Sequence, residues 1–87
     1  MSNLEKQMQR LLSKPKDYTF SEASSLLCAL GFELQNKGKT SGSRVKFYRK
    51  SDGRLINLHR PHPEKEMRYA ATLALLNTLK ENGDIHE

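Results

Sequence analysis

Residues Arg44 to His59 alternate apolar and polar side chains on either side of Asp52-Gly53, a pattern that fits little other than a β-hairpin. Val45 and Phe47 alternate with Arg44, Lys46 and Tyr48; Ile56 and Leu58 alternate with Leu55, Asn57 and His59. Asp-Gly is a favoured two-residue turn in which both residues take positive φ, and with it the expected partners are Phe47 with Leu58, Tyr48 with Asn57 and Lys46 with His59. Arg44 then lies diagonally across from His59, on the order of 7 Å away between backbones. One face of the hairpin is apolar and its other face is basic and polar.

What precedes the hairpin reads as support for its apolar face. Leu4, Met8, Leu11 and Leu12 fall at helical spacing, Ser2 and Glu5 are placed for a capping box, and Pro15 ends the segment. So short a helix is marginal alone, so its stripe is expected to pack on the body, with a partner contact as the other reading. A second capping box, Thr19 to Glu22, opens a helix over Phe20 to Leu30 that Gly31 ends in the left-handed conformation. Cys28 reads as a small, partly buried residue. Phe32 to Gln35 alternates as a half-buried strand, and Asn36 to Ser43 is a Gly, Ser and Lys loop without an apolar residue.

After the hairpin, Pro61 and Pro63 stop the last strand, and Glu64 and Glu66 stand before a helix over about Met67 to Asn82, ended by Gly83. Its expected stripe is Tyr69, Leu73, Leu76 and Leu79 or Lys80, and Asp84 to Glu87 reads as a frayed tail. The architecture is α+β: helix, three-stranded antiparallel sheet, helix, with an extra helix in front. The expected core is Leu26, Leu27, Leu30, Phe32, Leu34, Val45, Phe47, Ile56, Leu58, Leu73 and Leu76. The division is residues 1–16 as a helical extension and 17–87 as the domain proper.

A chain of 87 residues is one small domain that buries only about 60–65% of its unfolded surface, which leaves little room for a large buried cofactor. No cofactor and no metal are expected. The single Cys28 excludes an internal disulfide and a thiolate cluster, and two histidines flanking a proline lack a third ligand. The N-terminus is charged where a signal peptide is apolar, and no segment approaches a membrane span, so the expectation is a cytoplasmic protein without membrane contact.

The charge is unevenly spread. Lys37 to Arg68 holds ten basic residues against Asp52, Glu64 and Glu66, a net +7 that exceeds the +5 of the whole chain. A solvated basic face is the plainer account of such a run. The Gly/Ser loop, whose amides could approach phosphates, and the aromatic and histidine residues on the same face favour nucleic acid. His59 and His62 are the groups there that titrate near neutrality; cations at Arg44, Lys46 and Arg60 would keep an imidazole neutral, which suits a general base. Each histidine could equally be a strand-edge or loop residue with no chemical role.

Several features in order resemble the HicA toxins: the helix ending in Gly31-Phe32, the Gly42-Ser43 step into a strand with Val45, Phe47 and Tyr48, the Asp52-Gly53-Arg54 turn, and His62-Pro63 before a Leu-rich helix. The resemblance covers about Thr19 to Asn82. It implies a fold similar to the double-stranded RNA-binding domain, ribonuclease activity on single-stranded messenger RNA, and a HicB-like antitoxin as partner, in a hetero-oligomer or with the toxin itself dimeric.

The chain departs from the family pattern at one position: where the common motif reads Gly-Ser-His, with a histidine taken as catalytic, this chain has Gly42-Ser43-Arg44. A guanidinium stays protonated and cannot remove the ribose 2′-hydroxyl proton, but it could hold a phosphate and stabilise charge on its oxygens. If the chain cleaves RNA, the expected roles are phosphate contact for Arg44 and Lys46, proton transfer for His59 or His62, base or ribose contact for Tyr48 and Asn57, and further RNA contact for Lys37, Lys39, Ser43 and Arg60. Two other readings stay open: a nucleic-acid-binding module that has lost catalysis, and a subunit whose basic face is covered by an acidic protein.

Overall fold

A computed structural model describes residues 3–35, 44–59 and 66–85. Three helices, α1 (Asn3–Leu12), α2 (Phe20–Ala29) and α3 (Tyr69–Asn82), accompany three strands, β1 (Glu33–Leu34), β2 (Arg44–Arg49) and β3 (Arg54–His59). The strands form one antiparallel sheet in the order β1-β2-β3. This is the expected α+β fold, like a double-stranded RNA-binding domain with one helix added in front. The Ser2 cap, the loop from Asn36 to Ser43, Pro61, Pro63 and Glu64 lie outside the described residues.

Local signals set the helix ends. Thr19 Oγ1 accepts from the Glu22 N–H at 3.1 Å while the Thr19 N–H donates to Glu22 Oε1 at 3.0 Å, so the capping box closes in both directions. At the other end of α2, Gly31 takes φ +99°; its N–H bonds the Cys28 carbonyl and that of Phe32 bonds the Leu27 carbonyl, the paired bonds of a Schellman cap. Gly83 repeats the arrangement after α3, with bonds from Gly83 to Lys80 and from Asp84 to Leu79. After α1, Lys14 turns left-handed at φ 53° just ahead of Pro15.

The hairpin register differs from the expectation by two residues. The partners are Arg44 with His59, Val45 with Leu58, Lys46 with Asn57, Phe47 with Ile56, Tyr48 with Leu55 and Arg49 with Arg54. The connection therefore has four residues, Lys50 to Gly53, and of its two central candidates only Gly53 takes positive φ, at 69°. Asp52 instead turns its carboxylate back on Arg49 and Arg54, and the Gly53 N–H closes on the Arg49 carbonyl at 2.8 Å. Because the displacement is an even number of residues, the faces stay as the alternation required: Val45, Phe47, Ile56 and Leu58 are buried, while Lys46, Leu55 and Asn57 are exposed.

The core runs further along the chain than expected. Fully buried Leu11 joins Tyr18, Ala23, Leu26, Leu27, Phe47, Leu76 and Leu79, and Phe20 meets Phe47 at 6.4 Å between ring centroids. In α3 the buried positions are Thr72, Leu75, Leu76 and Leu79; Tyr69 is 40% exposed and Leu73 only half-buried. The stripe is rotated from the expected one, and α3 begins at Tyr69 rather than Met67. Met67 is instead held as extended chain, its N–H bonded to the Tyr18 carbonyl at 2.7 Å beside a Thr19–Glu66 bridge. Glu66 therefore lies outside the first turn, and α3 has no acidic residue there.

Four smaller expectations are corrected likewise. Leu34 is 37% exposed because β1 is a two-residue edge, and Leu30 is only partly buried at the helix cap. Cys28 is exposed, on the face of α2 away from Leu26 and Leu27. Of the expected tail, Asp84 and Ile85 are packed on the body, Ile85 being 1% exposed and Asp84 paired with Arg49, while His86 and Glu87 lie outside the described residues.

Helix α1 packs on the body, with Leu11 wholly buried and Leu4, Met8 and Leu12 partly so. Arg10 reinforces the contact by donating to Glu22 at 2.8 Å and to Asp17 at 3.1 Å. Leu11→Ala is expected to destabilise the domain by about 3 kcal/mol, through lost burial and a residual cavity. At 4–8 °C per kcal/mol for a domain near this size, its melting temperature should drop by roughly 12–24 °C. An unchanged midpoint in thermal unfolding would make α1 an accessory to the fold.

Candidate nucleic-acid interface

With α1, α2 and α3 accounting for the buried side, no helix among the described residues covers the opposite face of the sheet. Its described side chains are Lys46, Tyr48, Leu55 and Asn57 from the hairpin, continued by Glu33 and Gln35, both exposed, at the β1 edge. Lys46 and Asn57 are directly opposite each other, as are Tyr48 and Leu55. Tyr48 is half-buried between Glu33 on one side and Leu55 on the other, with Leu55 51% exposed. The surface offers a ring, an aliphatic side chain, an amide and an ammonium within two residue pairs.

Arg44 and His59, which the sequence placed diagonally, are direct Cα partners. Gln35 donates its N–H to the Lys46 carbonyl at 2.9 Å. Main-chain groups alternate sides along a strand, so those of residues 44, 46 and 48 address β1 and those of 45, 47 and 49 address β3. Arg44 and His59 therefore form a non-hydrogen-bonded pair, the closer kind, with Cα atoms about 4.5 Å apart. Of the other predicted site residues, Lys37, Lys39, Ser43, Arg60 and His62 lie outside the described residues.

The basic segment is less uniformly available than its sequence suggests. Arg49, counted there among the cations, is 9% exposed and fully engaged. It donates to Asp52 at 3.0 and 2.7 Å, to Asp84 at 2.9 and 3.1 Å and to the Leu30 carbonyl at 3.1 Å, with its guanidinium 4.5 Å from the Phe32 ring centroid. Hydrogen bonds to Asp52 and then Asp84 hold the guanidinium above its ordinary pKa, and the Arg49 bond lowers Asp52 to about 2. Gly31 packs beside this group: a Cβ there would stand 3.4 Å from Arg49 Cδ at a φ that side chains rarely adopt. Arg54 is likewise tied, to Asp52 at 3.2 Å and Asn82 at 2.7 Å. Sequence alone gave no sign that Arg49 is structural, except that it falls on the apolar face of its strand.

Away from the sheet, a cleft of about 310 Å³ lies against α1 and α2, lined by Lys6, Gln7, Arg10, Tyr18, Glu22 and Ser25 among others. It includes none of the predicted site residues. Burial raises the Tyr18 hydroxyl above its usual pKa, and the Arg10 bond lowers Glu22. No group of three or more His, Cys, Asp or Glu among the described residues could hold a metal ion, and no helix among them is long and apolar enough to cross a membrane.

Comparison with known families supplies what the geometry alone does not. A family model described as the HicA toxin of bacterial toxin-antitoxin matches residues 20–79, which is α2, the whole sheet and most of α3. The chain belongs to the HicA toxin family. It is thus the toxin of a toxin–antitoxin pair, with an antitoxin as partner. Helix α1 lies outside the matched span, as do Gly83, Asp84 and Ile85, so Leu11, Asp84 and Ile85 are contributions to this HicA toxin's core and ion-pair network from beyond it. Searches of curated proteins and of solved structures found no match.

Proposed function

We propose that this HicA toxin cleaves single-stranded messenger RNA without a metal ion, on the open face of its sheet, and so arrests translation and growth. The observation that carries the reading is the register pair of Arg44 with His59, at the end of a hairpin whose next exposed pair is Lys46 with Asn57. Cleavage of this kind needs a base on the ribose 2′-hydroxyl, positive charge at the phosphate and an acid for the departing 5′-oxygen. In this proposal Arg44 and Lys46 hold the phosphate, and His59 or His62 transfers the proton. Tyr48 and Asn57 contact base or ribose, with Lys37, Lys39, Ser43 and Arg60 along the strand of RNA.

In this scheme an imidazole moves the proton and a fixed guanidinium holds the phosphate. With arginine at position 44, the cation does not depend on pH, and only the proton-transfer group titrates. Tyr48 supplies a π-face for an unpaired base, which a duplex would keep stacked inside, so the open face suits single-stranded RNA.

Purified toxin incubated with single-stranded RNA should give cleavage products in the presence of a chelator, and its expression without antitoxin should slow growth. Intact RNA together with normal growth would defeat the proposal. The second reading, binding without cleavage, is favoured by one specific observation, the arginine at the position of the family's motif histidine. It predicts RNA binding that weakens steeply with salt and leaves no products.

A further inference from the structure

The strand order leaves β3 at an edge of the sheet, with six residues and no proline. Because residues 45, 47 and 49 address β3, their partners Leu58, Ile56 and Arg54 answer them, and the N–H and C=O groups of Leu55, Asn57 and His59 point away from β2. Among the described residues no other strand pairs with that side. Proteins usually blunt such an edge with a short strand, a proline, a bulge or a covering element, since it is a template for another chain. Here the outward residues include Leu55, 51% exposed, which adds an apolar contact to the row of open main-chain groups.

We propose that the antitoxin inhibits this toxin by adding an extended, acidic segment to the free edge of β3 as a fourth strand. The edge offers alternating main-chain donors and acceptors at strand spacing, which another extended polypeptide satisfies. Charge favours an acidic segment: the chain carries +5, and exposed Lys46 and Lys50, with Arg44 and His59 at the far end of the hairpin, stand against Glu33 at the opposite edge. The acids nearest β3, Asp52 and Asp84, are already committed to Arg49 and Arg54. A second copy of this chain, with the same positive charge, is the poorer occupant.

In the added strand an apolar residue sits beside Leu55 and acidic residues lie beside His59 and toward Lys46. A strand in that position runs along the rim of the surface proposed for RNA, so inhibition follows from occupancy alone, with no conformational change in the toxin. The inference rests on the family's antitoxin partnership and not on the cleavage chemistry, and its test reads binding alone.

The test is amide hydrogen exchange on labelled toxin, free and in complex with its antitoxin. In the free toxin the Leu55 and Asn57 amides should exchange on the order of 10²-fold faster than those of Ile56 and Leu58, and in the complex they should slow by a similar factor. Leu55→Pro removes an outward N–H without touching the β2 ladder, so the free variant should melt close to wild type while its affinity for the antitoxin falls by about tenfold or more. Leu55→Ala, which keeps the N–H, should lose less. Outward amides that exchange as fast in the complex as in the free toxin would overturn the proposal, whatever Leu55→Pro does to folding. So would amides already protected in a concentration-dependent dimer of the toxin alone, which would assign the edge to a second copy.

Discussion

His59→Ala is expected to lower RNA cleavage by about 10²- to 10³-fold while leaving RNA binding within a few-fold of wild type, because it removes a proton-transfer group and no fixed charge. Arg44→Ala should cost a similar factor in cleavage and should also weaken binding and flatten its salt dependence, since a phosphate contact is lost with the charge. The two variants should not be additive: residues that act on one phosphate and its adjacent hydroxyl form a unit, and the double variant should fall little below the worse single one. His62→Ala decides between the histidines. If cleavage survives His59→Ala but not His62→Ala, proton transfer belongs to His62, and if it survives the loss of both, the proposed chemistry is wrong. Arg44→His separates the catalytic reading from the binding one, because a silent wild type that begins to cut RNA on gaining that histidine would be a module whose activity had been lost with it. Cleavage by the wild type should rise with pH as the imidazole loses its proton, and a rate that stays flat between about pH 5 and 8 would exclude a histidine base.

The fold was legible wherever a local signal and a periodic one coincided. Thr19 with Glu22, and Gly31 and Gly83 in left-handed caps, mark helix ends that need no tertiary information. The hairpin faces could be read from alternation alone, but its register could not, because Asp52-Gly53 permits two turns and the choice falls to Arg49, whose buried side chain requires the Asp52 carboxylate. A cation on the apolar face of a strand was the available sign, and it was masked by the nine other cations between Lys37 and Arg68. Helix α3 shows a further limit. Its leucines at 73, 75, 76 and 79 allow more than one stripe, and the one used depends on Met67 and Ile85 anchoring the chain on either side. For the candidate interface, residue types and the shared face were readable, while the direct pairing of Arg44 with His59 depended on the register and so emerged only from the structure.

Arg49→Ala should remove a large part of the stability of the fold and lower its urea midpoint accordingly. The guanidinium joins three parts of the chain that meet nowhere else among the described ion pairs: the hairpin through Asp52, the α2 cap through the Leu30 carbonyl, and the end of α3 through Asp84. Removing it leaves the Asp84 carboxylate, 15% exposed, without its cation, and exposes the face of Phe32. Breaking a buried pair on one side costs about 3–5 kcal/mol, against a total stability of roughly 5–10 kcal/mol for a domain of this size. Arg49→Lys keeps the charge but cannot reach two carboxylates and a carbonyl with one planar fork, so it should recover only part of the loss. Arg49→Met, which replaces the charge by volume, should still leave the Asp84 carboxylate without its cation, with Asp52 held by Arg54, and be worse than the double change with Asp84→Asn. The same network sets an acid limit. Asp52 is lowered from 3.8 to about 2 in the folded state, so its contribution is fully present above pH 4 and is lost as the pH falls through about 2. Urea unfolding of wild type and Asp52→Asn at pH 7, 4 and 2 should show two midpoints well apart at pH 7 and converging at pH 2, and curves that stay equally separated would remove Asp52 from the account.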